Sequence, residues 1–126
     1  MTWKYDQGTG RLSHDGEMIA TGYAGINTDT VNGLNNPAQQ QTPFVGPIPR
    51  GTYTIGQPIT NGGHMGPFVL ELTPSPVNNM FGRSGFFIHG DKADPPPQSA
   101  SNGCIIVNRE WRAMIAQSGD NLLVVV

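Results

Sequence analysis

Glycine and proline interrupt this chain so often that a bundle of long helices cannot be built from it. There are 17 glycines and 11 prolines in 126 residues, scattered among apolar runs rather than gathered in tracts. Such a pattern demands many turns and therefore many short strands. Hydrophobic residues make up 37% of the chain, enough for a packed core, so large-scale disorder is excluded. Only 13% of residues are charged, the net charge is −2, and Lys and Arg form no block. A sequence-independent nucleic-acid binder or an anionic-membrane binder needs such a block. Cys104 is the one cysteine, which excludes an intrachain disulfide and a Cys-rich zinc site. No run approaches the ~20 apolar residues that span a membrane, so no membrane insertion is expected. The first residues, Met1-Thr2-Trp3-Lys4-Tyr5-Asp6, hold no apolar stretch of the kind a secretory leader has. The expectation is a single domain over residues 1–126, made in the cytoplasm and exported, if at all, without a cleaved leader.

Trp3-Lys4-Tyr5, Arg11-Leu12-Ser13 and residues 17–23 read as a small meander, turned at Gln7-Gly8-Thr9-Gly10 and at Asp15-Gly16. Residues 24–45 are rich in Asn, Thr, Gln and Gly and read as a long surface loop. Gly46-Pro47-Ile48-Pro49-Arg50-Gly51 is a stiff turn that feeds the strand Thr52-Tyr53-Thr54-Ile55. Phe68-Val69-Leu70-Glu71-Leu72 alternates, with Phe68, Leu70 and Leu72 facing inward. Gly85-Phe86-Phe87-Ile88-His89 is apolar on both faces, as a central strand is. A rigid loop containing Pro95-Pro96-Pro97 follows, then the apolar run Cys104-Ile105-Ile106-Val107. Asn108 reads as the N-cap of a helix to about residue 117 with Trp111, Met114 and Ile115 on one stripe, and Gly119 as its C-terminal stop. Residues 122–126 close the chain as a buried strand. The fold class is mainly β, a small sandwich or barrel-like sheet with one short helix.

The chemistry concentrates where His89-Gly90 closes one strand and Ser101-Asn102-Gly103-Cys104 opens another. Both strand ends fit one rim of a sheet. A free thiol is only ~3% thiolate at pH 7, and a neighbouring imidazole that takes its proton makes it a nucleophile. Gly103 permits close backbone approach, and the N–H groups of Gly103 and Cys104 are candidate oxyanion donors. A lone cysteine among apolar residues is commonly an inert core group. Ser-Asn-Gly, however, is a poor lead-in to a buried strand residue and a good one to an exposed nucleophile on a turn.

His89-Gly90 followed, 15 residues after the histidine, by Cys104 in Ser101-x-Gly103-Cys104-Ile105 resembles the signature of YkuD-type L,D-transpeptidases. Gly46-Pro47-Ile48-Pro49-Arg50-Gly51-Thr52-Tyr53 and Gly82-Arg83-Ser84-Gly85 are similar to segments of the small, leaderless L,D-transpeptidase-like toxins exported by type VI secretion systems. The resemblance covers roughly residues 12–107. It implies an L,D-transpeptidase-like β fold with Cys104 as nucleophile and His89 as general base. Ser101, Asn102, Gly103 and Gly90 would border the site, and Arg83 would lie near the pocket to receive a substrate carboxylate. Asn102 stands where the family pattern has a histidine, a departure that leaves the His–Cys pair intact. The implied activity is acyl transfer on peptidoglycan tetrapeptide stems, without cofactor or metal: L,D-carboxypeptidase, D-amino acid exchange, or crosslinking, of which the first two are favoured in so small a domain. The implied partners are stem peptides, a cognate immunity protein that plugs the cleft, and a spike or tube component of the secretion system. The implied destination is a rival's periplasm.

Two other readings stay open on the residues alone. One is a papain-like or related cysteine peptidase or amidase, although those place Cys before His and at a helix N-terminus. The other is a non-catalytic wall-binding domain. His14 and His64 read as exposed loop histidines, Asp91 and Asp94 as solvated charges, Arg50 as a turn residue, and Arg112 as the polar surface of the helix.

Overall fold

The computed structural model describes residues 2–92 and 98–126, so Asp94 and the Pro95-Pro96-Pro97 loop lie outside the described residues. The elements in chain order are β1 (Trp3–Tyr5), β2 (Arg11–His14), β3 (Glu17–Thr21), β4 (Gly51–Asn61), β5 (Pro67–Pro74), β6 (Phe86–His89), β7 (Ile105–Ile106), α1 (Arg109–Ser118) and β8 (Leu122–Val125). Short 3-10 turns lie at Pro37–Gln39 and Gly63–Met65. The strands form one sheet in the order β3-β2-β1-β8-β4-β5-β6-β7. Neighbours run antiparallel except β1 with β8 and β6 with β7. Among the described residues no helix is long and apolar enough to cross a membrane.

The sheet curls into a half-barrel, and its two edges meet. Tyr23, two residues beyond β3, bridges Ile106 of β7, with N–H to carbonyl bonds of 3.1 and 2.8 Å in the two directions. Of the two expected architectures, the barrel-like one is present. Closure requires glycine where the backbones cross. A Cβ at Gly22 would lie 2.0 Å from the Ile106 carbonyl, and one at Gly10, whose φ is +74°, 2.0 Å from that of Gly22. The core takes alternate positions from each strand, with Trp3 and Tyr5 buried around exposed Lys4, joined by Tyr53, Leu70, Ile88 and Leu123.

Several elements differ from the expectations for physical reasons. β4 runs on to Asn61 because a bulge between Ile55 and Pro58 absorbs the proline. Past that bulge Val69 is buried, while Phe68 is only partly covered and has a φ of +57°. On α1, Ile115 is buried but Met114 is exposed. Arg112 is buried rather than on the surface, a point taken up below. Asn108 occupies the N-cap position without a side-chain capping bond. His14 is not a loop residue. It belongs to β2, stacks on the Trp3 ring at 4.2 Å, and brings Nε2 to 2.6 Å from Asp120 Oδ2.

The long segment at residues 24–45 is held down at several points. Ile26 N–H donates to Val45, Ala24 N–H to the Asn35 side chain, and the Gln40 carbonyl accepts from Arg83. The turn at residues 46–49 that follows is buried, and its prolines carry no N–H. Each of its four carbonyls is met by a side-chain donor: Gly46 and Pro47 by Arg83, Ile48 by Gln7, and Pro49 by Tyr53. That is how a segment outside the sheet ladder satisfies the rule that buried backbone groups are paired.

Gly22→Ala is expected to lose more than ~2 kcal/mol of stability, because backbone rather than a flexible side chain must give way. Gly16→Ala, with open space around it but a φ of +86°, is expected to lose only ~1 kcal/mol. Chemical denaturation of both variants measures the difference.

Candidate active site

β5 and β6 pair antiparallel, β6 and β7 parallel, and these pairings set one wall of a cleft of about 1130 Å³. Parallel pairing of Ile88 with Ile105 and of His89 with Ile106 puts the residue before β7 beside Phe87. Cys104 therefore enters the cleft beside Phe87, two residues before His89 along β6. Its Sγ accepts from the Phe87 N–H at 3.4 Å and lies 3.8 Å from the Gly85 carbonyl. His89 and Cys104 line the same cleft, together with Asn102, Gly90 and Arg83.

The His89 ring is oriented by its own neighbour. Nδ1 lies 2.9 Å from the Gly90 carbonyl. A carbonyl only accepts, so Nδ1 carries the proton and Nε2 keeps its lone pair. Burial holds the His89 imidazole below its usual range; the Gly90 bond and Asp91 pull it up, while Arg112 and His64 push it further down. Burial pushes the Cys104 thiol up, opposed by the Phe87 N–H and by the Arg83 charge. Both shifts favour the neutral forms. These directions point to a neutral thiol and a neutral imidazole rather than to a preformed ion pair.

The loop before Cys104 is built from the inside. Ser101 is 1% exposed. Its Oγ donates to the Cys104 carbonyl at 2.7 Å and accepts from the N–H groups of Gly25 and Gly103 at 2.9 and 3.0 Å. The Gly103 N–H is thereby engaged, which removes it from the expected pair of oxyanion donors. Of that pair the Cys104 N–H remains. Gly103 has a φ of +134°, and a Cβ there would lie 2.5 Å from Arg83 Nη2, so no other residue fits.

Arg83 is placed differently from its expected role. It donates to the carbonyls of Gln40 (2.6 Å), Pro47 (2.9 Å), Gly46 (2.9 Å) and Asn102 (3.1 Å) and lies over the Phe86 ring. Both Nη groups are engaged by backbone carbonyls, so Arg83 ties the buried turn to the cysteine loop rather than holding its fork open for a carboxylate. Its charge nevertheless acts on the thiol.

Two residues of this region carried no sequence signal of function. His64, in the glycine-rich turn at Gly63–Met65, lines the cleft and acts electrostatically on His89; only the glycines around it hint at a close approach. The Tyr23 hydroxyl donates to Asp91 at 2.7 Å and accepts from the Ala100 N–H at 3.1 Å. It pins both ends of the segment joining His89 to Cys104, and Asp91 is consequently a partner rather than a free solvated charge. Among the described residues, the cluster His14, Asp15 and Asp120 presents three possible metal-ligand atoms. It lies outside the cleft lining, and its 2.6 Å His14–Asp120 contact is a direct hydrogen bond.

The family model described as Tlde1 domain matches residues 19–124. No curated protein matches the chain.

Alkylation of Cys104 by iodoacetamide is expected to rise with pH through a midpoint above the ~8.5 of a free thiol, and to return to that value in denaturant. A folded-state midpoint below it would mean that a thiolate–imidazolium pair is preformed.

Proposed function

The chain belongs to the Tlde1 domain family of type VI secretion L,D-transpeptidase effectors, and from that premise we propose the chemistry of its peptidoglycan-modifying activity. Cys104 attacks the carbonyl of the third, L-configured stem residue of a tetrapeptide, and His89 Nε2 takes the thiol proton as the C–S bond forms. The tetrahedral oxyanion is received by the Cys104 N–H. Collapse breaks the C–N bond to the terminal D-alanine, which leaves as the amine after receiving the proton from His89. Water, deprotonated by the same imidazole, then hydrolyses the thioester and restores the thiol. A free D-amino acid in place of water gives exchange.

The observation that carries this reading is the Gly90 carbonyl at 2.9 Å from His89 Nδ1, which leaves Nε2 as a base in the cleft that Cys104 enters. A neutral imidazole and a neutral thiol are the forms that proton transfer on attack requires. The cleft admits a peptide-sized ligand, since its volume of about 1130 Å³ exceeds the upper end of ordinary small-molecule pockets. Arg83 serves the site from behind, holding the Asn102 carbonyl and lending positive charge to the sulfur as thiolate develops. Removal of the terminal D-alanine deprives a growing wall of its tetrapeptide donors, which makes the activity toxic in the periplasm of a target cell. A cognate immunity protein acts by filling the cleft at Cys104, and a spike or tube component carries the domain outward.

Mass spectrometry of tetrapeptide muropeptides incubated with the chain is expected to show loss of terminal D-alanine. Cys104→Ala and His89→Gln are each expected to reduce the rate by at least ~10³-fold. Added D-methionine should appear in the product if exchange operates. Cleavage at another bond would favour a different peptidase or amidase. An unchanged substrate, with wall binding retained by Cys104→Ala, would favour a binding domain.

A further inference from the structure

Arg112 is a buried charged group that acts on His89 and abuts Gly90, and the proposed reaction leaves it unused. It is only 4% exposed. Its Nη1 donates to the Val107 carbonyl at 2.6 Å, Nε to the Phe68 carbonyl at 2.8 Å, and Nη2 to the Pro67 carbonyl at 3.4 Å. Among the described residues no carboxylate pairs with it. Each contact touches a segment that borders His89. The Val107 N–H donates to the His89 carbonyl at 3.1 Å. Pro67 forms part of the facing wall of the cleft. A Cβ on Gly90 would lie 2.8 Å from Nη1, so the guanidinium abuts the residue whose carbonyl orients the imidazole.

A buried cation satisfied only by neutral carbonyls is an expensive way to pack a helix, since an apolar side chain of similar volume would avoid the desolvation cost. What a methionine or leucine cannot supply is a fixed positive charge and a planar fork that reaches two strand ends at once. We propose that Arg112 is a positioning residue for His89: its fork ties the start of β5 to the residue after β7 against Gly90, whose carbonyl orients the imidazole, and it sets a fixed positive charge near the ring. The other titratable groups acting on His89 are His64, which pushes it the same way as Arg112, and Asp91, which opposes them. Lys92 and Cys104 share the cleft.

The inference rests on His89 being the base of the proposed reaction. It is tested by a measurement that needs no substrate, the NMR titration of the His89 imidazole, read beside the acid limb of kcat/KM for D-alanine release. Arg112→Gln keeps an amide donor for the carbonyls and removes the charge. It is expected to move the His89 titration and the acid limb upward together by ~0.5–1 pH unit, and to lower the plateau of kcat/KM by ~10-fold or more. Arg112→Lys keeps the charge and loses the fork, so its titration should stay near the wild-type position while the plateau falls. A folded Arg112→Gln with an unmoved His89 titration overturns the proposal. If Arg112→Gln does not fold, Arg112→Lys decides: a titration that returns to the ordinary imidazole range despite the retained charge also overturns it. An inactive wild type would defeat the proposed reaction and leave the titration free to decide the role of Arg112.

Discussion

A buried guanidinium bonded to backbone carbonyls holds this site together. Arg83 sits behind the cysteine loop and spends four hydrogen bonds on backbone carbonyls, three from the segment at residues 40–47 and one from Asn102. The buried turn containing Pro47 and Pro49 lacks the N–H groups that would let it join a ladder, so side chains must reach its carbonyls. Arg83 does this while fixing the position of Gly103, which has no room for a side chain. The long segment at residues 24–45 and the cysteine loop are thus fastened to one another by Arg83, and again by the bond from the Gly25 N–H to Ser101 Oγ. A lysine could not do the same, since only a planar fork meets four acceptors in a fixed geometry.

The barrel-like curl supplies the other constraint. Sheet edges are exposed hydrogen-bonding groups that a protein must cover or join, and here the edges join at Tyr23 and Ile106. The same tyrosine reaches from the closure to Asp91 and Ala100. Ile106 lies opposite His89 in the parallel pair. Closure of the fold and placement of His89 and Cys104 therefore depend on the same pairing. This is the physical reason a histidine and a cysteine separated by a long, proline-rich segment can share one cleft.

Parallel pairing sets Cys104 beside Phe87 and His89 beside Ile106, so the two share a cleft rather than the one sheet rim expected of them, whereas the strands with clean alternation, such as Trp3-Lys4-Tyr5, were legible from the residues. Local pattern was enough for these, because neighbouring residues decide which way a side chain faces. What the residues did not disclose depends on reach and on contacts between distant segments. Arg112 sits at a helical position that reads as polar surface, yet its long side chain runs back to carbonyls of β5 and to Val107. Arg83 was legible as part of the site but not as a backbone tie. The engagement of the Gly103 N–H by Ser101 Oγ is the exception, a local serine turn across two residues. His64 and Tyr23 enter the region only because the sheet curls.

The account stands on one covalent species, an acyl group carried on Cys104. Intact-protein mass spectrometry after rapid acid quench of the chain with tetrapeptide substrate measures it directly, since thioesters survive acid. The predicted result is an adduct heavier by the substrate acyl group without its terminal D-alanine, mapped to Cys104 by digestion and lost on treatment with hydroxylamine. D-Alanine release that proceeds equally well in Cys104→Ala, with no adduct on the wild-type chain at any quench time, would contradict it.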